Sequence, residues 1–221
     1  MIDLNSLTLY QKKINSYIDE NVLTFPTQSK INSLFSEVHK YKIIITSGTS
    51  QYNSSYVNNV KIIKNNIPLI LKSVTNNSAT SANVVLTDNS SDYDIDTSCG
   101  STYNGYYIST IFSDTGSWLS ASGSGETPVY LNFEMPSLSE IYFYASWNTN
   151  SPHYSYRQAE SCEIKVLCDD IVILDTNLEN LKWCDRIRII FDEYDKCHTN
   201  VINVGSSSHW SVKFSNKTSL F

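Results

Sequence analysis

The sequence predicts a mainly β protein, an antiparallel β-sandwich or jelly roll preceded by a short N-terminal helical hairpin. Two features point to the sheets. From Lys42 onward the chain runs in short stretches of β-branched and aromatic residues, and clusters of Ser, Asn, Gly and Asp separate them at nearly even spacing. Ser and Asn together make up roughly a quarter of the chain, well above average usage, while charged residues reach only 17%. A third feature points to the hairpin, because before residue 40 the apolar residues recur at helical spacing instead. At 221 residues the chain is long enough for one good core and a small appendage. The expected division is a helical anchor or oligomerisation segment over 1–40 and a β-sandwich binding domain over 41–221.

Taken in order, Thr8 and Gln11 form a capping box ahead of Tyr10, Ile14, Tyr17, Ile18 and Val22, which predicts a helix from about residue 8 to residue 21. Leu7, Tyr10, Ile14 and Tyr17 also fit a coiled-coil seam, interrupted at Asn21. Packing of this helix on its own domain fits the same spacing. Pro26 breaks it, and a second helix is expected beyond, burying Ile31, Leu34, Phe35 and Val38. Strands are then expected at Ile43 to Thr46, Val57 to Ile63, Leu69 to Val74, Asn83 to Thr87, Tyr106 to Phe112, Val129 to Phe133, Glu140 to Tyr144, Glu163 to Leu167, Ile171 to Asp175, Arg186 to Phe191 and Trp210 to Phe214. Strands at this spacing, with no helical pattern between them, indicate a sandwich. No internal repeat argues for a propeller or solenoid.

Charge and cysteine content narrow the function. A net charge of −6 and three arginines, Arg157, Arg186 and Arg188, give no basic stripe for phosphates, so nucleic acid is not an expected partner. The start MIDLNSLTLYQKK lacks the basic and apolar regions of a secretory signal, and no stretch is long enough to insert in a bilayer, so synthesis as a soluble cytoplasmic chain is expected. Five cysteines without a CxxC pair signal neither a disulfide framework nor a zinc ribbon, and buried free thiols are expected. Cys197 and His198 are sequence neighbours that point apart on a strand, and His39, His153 and His209 form no metal motif. Among the acids, Glu134, Glu140, Asp169 and Asp175 nominate no catalytic pair, and the protein is expected not to be an enzyme.

Two segments carry candidate binding chemistry. The stretch SWNTNSPHYSYRQAE gathers Trp147, Asn148, His153, Tyr154, Tyr156 and Arg157 with hardly an aliphatic residue among them. Aromatic faces cover the C–H side of a sugar ring while amide, imidazole and guanidinium groups bond its hydroxyls, so this loop is the expected ligand-binding site. The run from Asp88 to Asp96 places Asp88, Asp92, Asp94 and Asp96 where one backbone could wrap calcium. A solvated acidic loop accounts for the same residues, and Thr97 and Tyr103 stand where an EF-hand would need its Gly and Glu.

The segment LNSLTLYQKKINSYIDENV, from Leu4 to Val22, resembles the helical start of Gram-positive bacteriophage tail-fibre and baseplate proteins, where a Leu-Thr-x-Tyr turn leads into Lys-Ile-x-x-Tyr-Ile. Tyr103 to Asp170 is similar to the middle of galactose-binding-like jelly rolls of the discoidin type. GSWLS at Gly116 precedes a strand like Val129 to Phe133, another like Ser139 to Tyr144, and one ending in an acidic turn like Glu163 to Asp170. Together these resemblances imply a receptor-binding or baseplate-peripheral protein of a phage tail or tail-like particle, with other tail proteins and a bacterial surface glycan as partners. A purely structural adaptor and a surface-polysaccharide depolymerase are the rival readings. Fibre analogy implies a homo-oligomer, with a trimer the expected state. Light scattering on the intact chain is expected to return the mass of an oligomer; a strictly monomeric protein that docks on no particle would remove this expectation.

Overall fold

The computed structural model describes residues 37–48, 54–103, 106–113, 117–119, 126–146, 158–193 and 195–204. The chain divides between Glu37 and Val38, and every element below belongs to the second unit. The expected helices up to residue 36, the expected strand at Trp210 to Phe214 and the loop from Trp147 to Arg157 lie outside the described residues.

The described residues are mainly β, in two antiparallel sheets. One sheet has seven strands in the order β11 (Ile171–Leu178), β10 (Cys162–Cys168), β1 (Val38–Ser47), β8 (Val129–Pro136), β6 (Asp92–Cys99), β5 (Ser81–Thr87) and β4 (Ile70–Thr75). The other runs β13 (Lys196–Asn203), β12 (Asp185–Glu193), β9 (Leu138–Tyr144), β2 (Tyr56–Lys64) and β3 (Ile67–Pro68), with β7 (Ser117–Leu119) also paired to β2. Their inner faces share one core. Ile43, Ile45, Val84, Ile95, Leu131 and Val166 come from the first sheet, and Val60, Ile62, Ile141, Phe143, Ile187 and Ile189 from the second. This is the arrangement that period-2 patterning produces when each sheet has one apolar face. Among the described residues no helix is long and apolar enough to cross a membrane.

The high Asn content has a structural use. Ten described non-glycine residues have positive φ, and six of them are Asn: 59, 65, 66, 76, 89 and 180. Asn and Asp tolerate the left-handed region better than other side-chain-bearing residues, so a chain with only seven glycines can still make tight turns. Asn65 and Asn66 join β2 to β3, and Asp169 and Asp170 join β10 to β11 in the same manner. A single residue, Ser137 with φ 56°, carries the chain from β8 in one sheet to β9 in the other.

Three expectations need correction. Val38, expected on the buried face of a helix, opens β1 and is exposed there. The segment from Tyr106 to Phe112, expected as a strand, forms a 3-10 turn over Ile108–Phe112. Its buried residues Ile108, Ile111 and Phe112 recur at three and four, a helical period hidden inside a short β-branched run. The acidic run expected as a loop is largely β6. Its sequence DYDIDTSC alternates exposed Asp with buried Tyr93, Ile95 and Thr97, a strand signal masked by its charge. Strand β13 was also not expected, because its sequence KCHTNVIN is only partly buried and carries a weak alternation.

Strand β1 lies between β10 and β8, with Ile43 paired to Val166 on one side and to Leu131 on the other, and Ile43 is fully buried. Ile43→Ala leaves a cavity that rigid neighbours on two strands cannot close. The expected loss is about 2–5 kcal/mol in unfolding free energy by denaturant titration, against less than about 1 kcal/mol for Ile44→Ala, which sits on the outer face.

Candidate functional site

The outer face of the seven-stranded sheet carries a groove of about 540 Å³. Strand pairing dictates its lining. Across the sheet Lys42 pairs with Asn132, Asn132 with Asp96, and Asp96 with Asn83, a polar ladder over β1, β8, β6 and β5. One step along, Lys40 pairs with Glu134. Adjacent strands lie about 4.8 Å apart, so these groups form a continuous row of donors and acceptors rather than isolated charges.

Some of the lining is already engaged. Lys40 reaches Glu134 at 3.6 Å, Lys72 pairs with Asp92, and the Asn83 amide donates to Asp96. The Lys72 ammonium is the main reason Asp92 is held below its ordinary carboxylate pKa. The Asp94 carboxylate and the Asn132 amide make no side-chain hydrogen bond to a described residue, and the Lys42 ammonium lies 5.8 Å from the centroid of the Tyr130 ring. The floor of the groove thus offers an ammonium and an amide on one rung and the Asp94 carboxylate diagonal to them, one step along β6 from Asp96, set between neighbours that hold one another. That combination suits a hydroxyl-rich or zwitterionic ligand.

The four candidate calcium ligands do not wrap one ion. Asp92, Asp94 and Asp96 stand on one face of an extended strand and span about 13 Å from first to last, more than one cation with oxygens at about 2.4 Å bridges, and Asp92 and Asp96 are held by Lys72 and Asn83. Asp88 faces elsewhere: its carboxylate accepts from the Ser90 hydroxyl at 2.6 Å, from the Ser90 and Ser91 amides at 2.9 and 2.8 Å, and from Lys64 at 3.1 Å. The Ser90 hydroxyl first, then the two amides and Lys64, hold this carboxyl well below the usual carboxylate range. Lys64 lies on β2 of the opposite sheet and also sits 5.2 Å from the Tyr93 ring centroid, so Asp88 ties the β5–β6 turn across the sandwich. Its role is structural.

The six expected ligand-binding residues, Trp147, Asn148, His153, Tyr154, Tyr156 and Arg157, lie outside the described residues. At the ends of that segment Ser146 bridges to Gln158, whose side-chain amide donates to the Leu181 carbonyl. The carboxylates Glu134, Glu140, Asp169 and Asp175 each face a separate basic partner, namely Lys40, Arg188, His39 and Lys165. All five cysteines are free and four are buried. Cys197 is half-buried while its neighbour His198 is exposed beside Asp192, so the two side chains point apart. Burial first, and then the charge of Asp169, pushes the Cys168 thiol up to about 11.

The residues that sequence reasoning missed are those of the sheet face, Lys40, Lys42, Asn132 and Glu134. The alternation in VHKYKIIITS and VYLNFEMP marks them as outward-facing, but nothing in the sequence says that these two strands are neighbours. Comparison of the chain with protein-family models, curated proteins and solved structures finds no match.

The depressed Asp88 pKa has a signed consequence. A carboxyl whose folded pKa lies below its unfolded value stabilises the fold above the unfolded value, near pH 4, and that contribution is lost as pH falls toward the folded pKa. Melting temperature followed from about pH 7 to pH 2 is expected to fall less steeply in Asp88→Asn than in the wild type below about pH 4, starting from a lower value at neutral pH. Parallel curves would exclude this role.

Proposed function

We propose that the protein is a receptor-binding or baseplate-peripheral component of a bacteriophage tail or phage-tail-like particle that holds a bacterial surface glycan and catalyses no reaction. The particle assignment draws on the resemblance of Leu4 to Val22 to tail-fibre and baseplate proteins. The glycan assignment draws on one observation above all, the groove whose floor presents Lys42, Asn132 and Asp94 together on a rigid sheet. A glycan hydroxyl both donates and accepts, so an ammonium, an amide and a carboxylate on neighbouring rungs of one sheet face can each engage a different hydroxyl without a charge match. The exposed Tyr103 and Tyr107 rings add aromatic surface beside the 3-10 turn.

In this reading the helical segment before the β-domain anchors the protein to its particle or to further copies of itself, and the sandwich, a jelly roll of the galactose-binding-like kind, faces the cell. The adaptor reading draws on a different observation. The sheet edges β4 and β11 expose Ile70 and Ile171, at 56% and 68%, and edge strands with free backbone groups pair readily with other chains.

Binding to whole Gram-positive cells and to their purified wall glycans tests these readings together. Lys42→Ala, Asn132→Ala and Asp94→Ala are each expected to weaken binding about tenfold or more with unchanged melting temperature. If Trp147→Ala, Tyr154→Ala or Arg157→Ala removes binding and the groove variants do not, the contact lies on that loop. Binding to another particle protein and to no glycan would establish the adaptor, and turnover of the glycan would establish the depolymerase.

A further inference from the structure

We propose that His39, Cys168 and Asp169 form a zinc-binding site at the end of the sandwich where the β10–β11 hairpin meets β1. The three donor atoms, an imidazole nitrogen, a thiol sulfur and a carboxylate oxygen, all lie within 4.8 Å of one another, and this is the only such His/Cys/acid group of three among the described residues. The residues come from positions 39, 168 and 169, so no local spacing announces them.

Backbone geometry builds the site. Tyr41 pairs with Cys168 across β1 and β10, so His39, two residues before Tyr41, projects from the same face of the sheet as the thiol. The hairpin turn then places Asp169 opposite Lys40: the Asp169 amide donates to the Lys40 carbonyl at 2.8 Å, and the Lys40 amide donates to Asp169 Oδ1 at 2.9 Å. That second bond leaves Oδ2 to face the imidazole and the thiol. Asp169 and Asp170 reach this turn at φ 48° and 65°, a conformation that glycine or Asn adopts at lower cost.

The distances suit a tetrahedral ion. Zinc held at about 2.0 Å from nitrogen and oxygen and about 2.3 Å from sulfur would set its donors about 3.3–3.5 Å apart. Here Nδ1 of His39 lies 2.7 Å from Asp169 Oδ2, and the Cys168 sulfur lies 3.9 Å from the same oxygen. The two separations straddle the required value, about 0.6 Å below and about 0.4 Å above it, the imidazole nitrogen and the sulfur lie within 4.8 Å of each other, and the half-exposed Asp169 carboxylate is free to shift toward the two buried donors. Beside them the Lys40 amide supports the carboxylate, as outer groups do at metal sites, and Tyr41 stands on β1 opposite Cys168. Asp195 and Cys197, at the end of the opposite sheet, are near enough to act electrostatically on Cys168.

A hydrogen-bonded latch between β1 and the hairpin would require only His39 and Asp169. The thiol adds little to a latch, yet it supplies the soft donor that selects zinc over calcium or magnesium. On binding, the thiol proton passes to solvent, the imidazole takes the tautomer with its hydrogen on Nε2 so that Nδ1 is free to ligate, and a water completes the fourth position through the exposed Asp169 side.

Zinc chloride titrated calorimetrically into the full-length chain tests the proposal, with calcium chloride titrated in parallel. The expected result is one zinc per chain at micromolar or tighter affinity, a melting temperature raised by zinc and restored by EDTA, and no response to calcium. Cobalt in place of zinc is expected to give a sulfur-to-cobalt charge-transfer band that Cys168→Ser removes. Asp169→Asn, at an exposed position where the Lys40 contact can persist, is expected to weaken zinc binding at least tenfold and decides the matter if Cys168→Ser fails to fold. No zinc uptake by the wild type, uptake unchanged in Asp169→Asn or Cys168→Ser, or an equal response to calcium would overturn the site.

Discussion

Successive side chains of a strand point to opposite faces, and in β1 that constraint reaches every other feature of the molecule. Its inward set, His39, Tyr41, Ile43 and Ile45, supplies the centre of the core and one corner of the His39–Cys168–Asp169 cluster. Its outward set, Lys40 and Lys42, lines the groove. Because β1 is hydrogen-bonded to both β10 and β8, a slip of one residue would bury two lysines and expose the core in a single step. The register of this one strand therefore fixes the core and both candidate sites together.

The sandwich is held at its ends by polar contacts rather than by more apolar area. Asp88 and Lys64 tie one sheet to the other beside Tyr93, and the end of β1 joins the start of β2 where the Ser55 hydroxyl donates to the Ser47 carbonyl at 2.9 Å and the Tyr56 amide donates to the Ser47 hydroxyl at 2.8 Å, both buried. On the outer face of the second sheet Arg188 grips Glu140 with both arms of its guanidinium, and Arg186 lies 5.1 Å from the centroid of the Tyr142 ring. Buried polar groups of this kind cost desolvation unless they are paired, so where they are paired they discriminate the native pairing of sheets from alternatives of similar hydrophobicity.

The two candidate sites divide the chemistry of the molecule. The groove is open, mixed in charge and built on rigid strands, which suits reversible capture of an extended polar ligand at little ordering cost. The cluster at the hairpin is small, half-buried and contains a thiol, which suits an ion. Both use residues of β1 that are adjacent in sequence but opposite in direction, and Asp170, next to Asp169, also lines the groove, so the strand and the hairpin turn both connect the two sites.

The sequence by itself determined the class of the fold and most of its strands, because the β-branched cluster at residues 43–46 and the alternation in the runs at 129–133 and 163–167 are local properties that sheet burial requires. It also determined that the thiols are free, and the excess of Asn becomes intelligible as left-handed turn residues. It misread β6 because three aspartates outweighed the apolar residues between them, and it misread Ile108–Phe112 because a run of seven residues is too short to separate the two periods. Only the tertiary structure decided which strands are neighbours. That decision set Lys42 beside Asn132 and Asp96, held Asp88 against Lys64, and brought His39 to a residue 130 positions away, since long-range pairing is chosen by the packing of whole faces and leaves no mark at the spacing of any local motif.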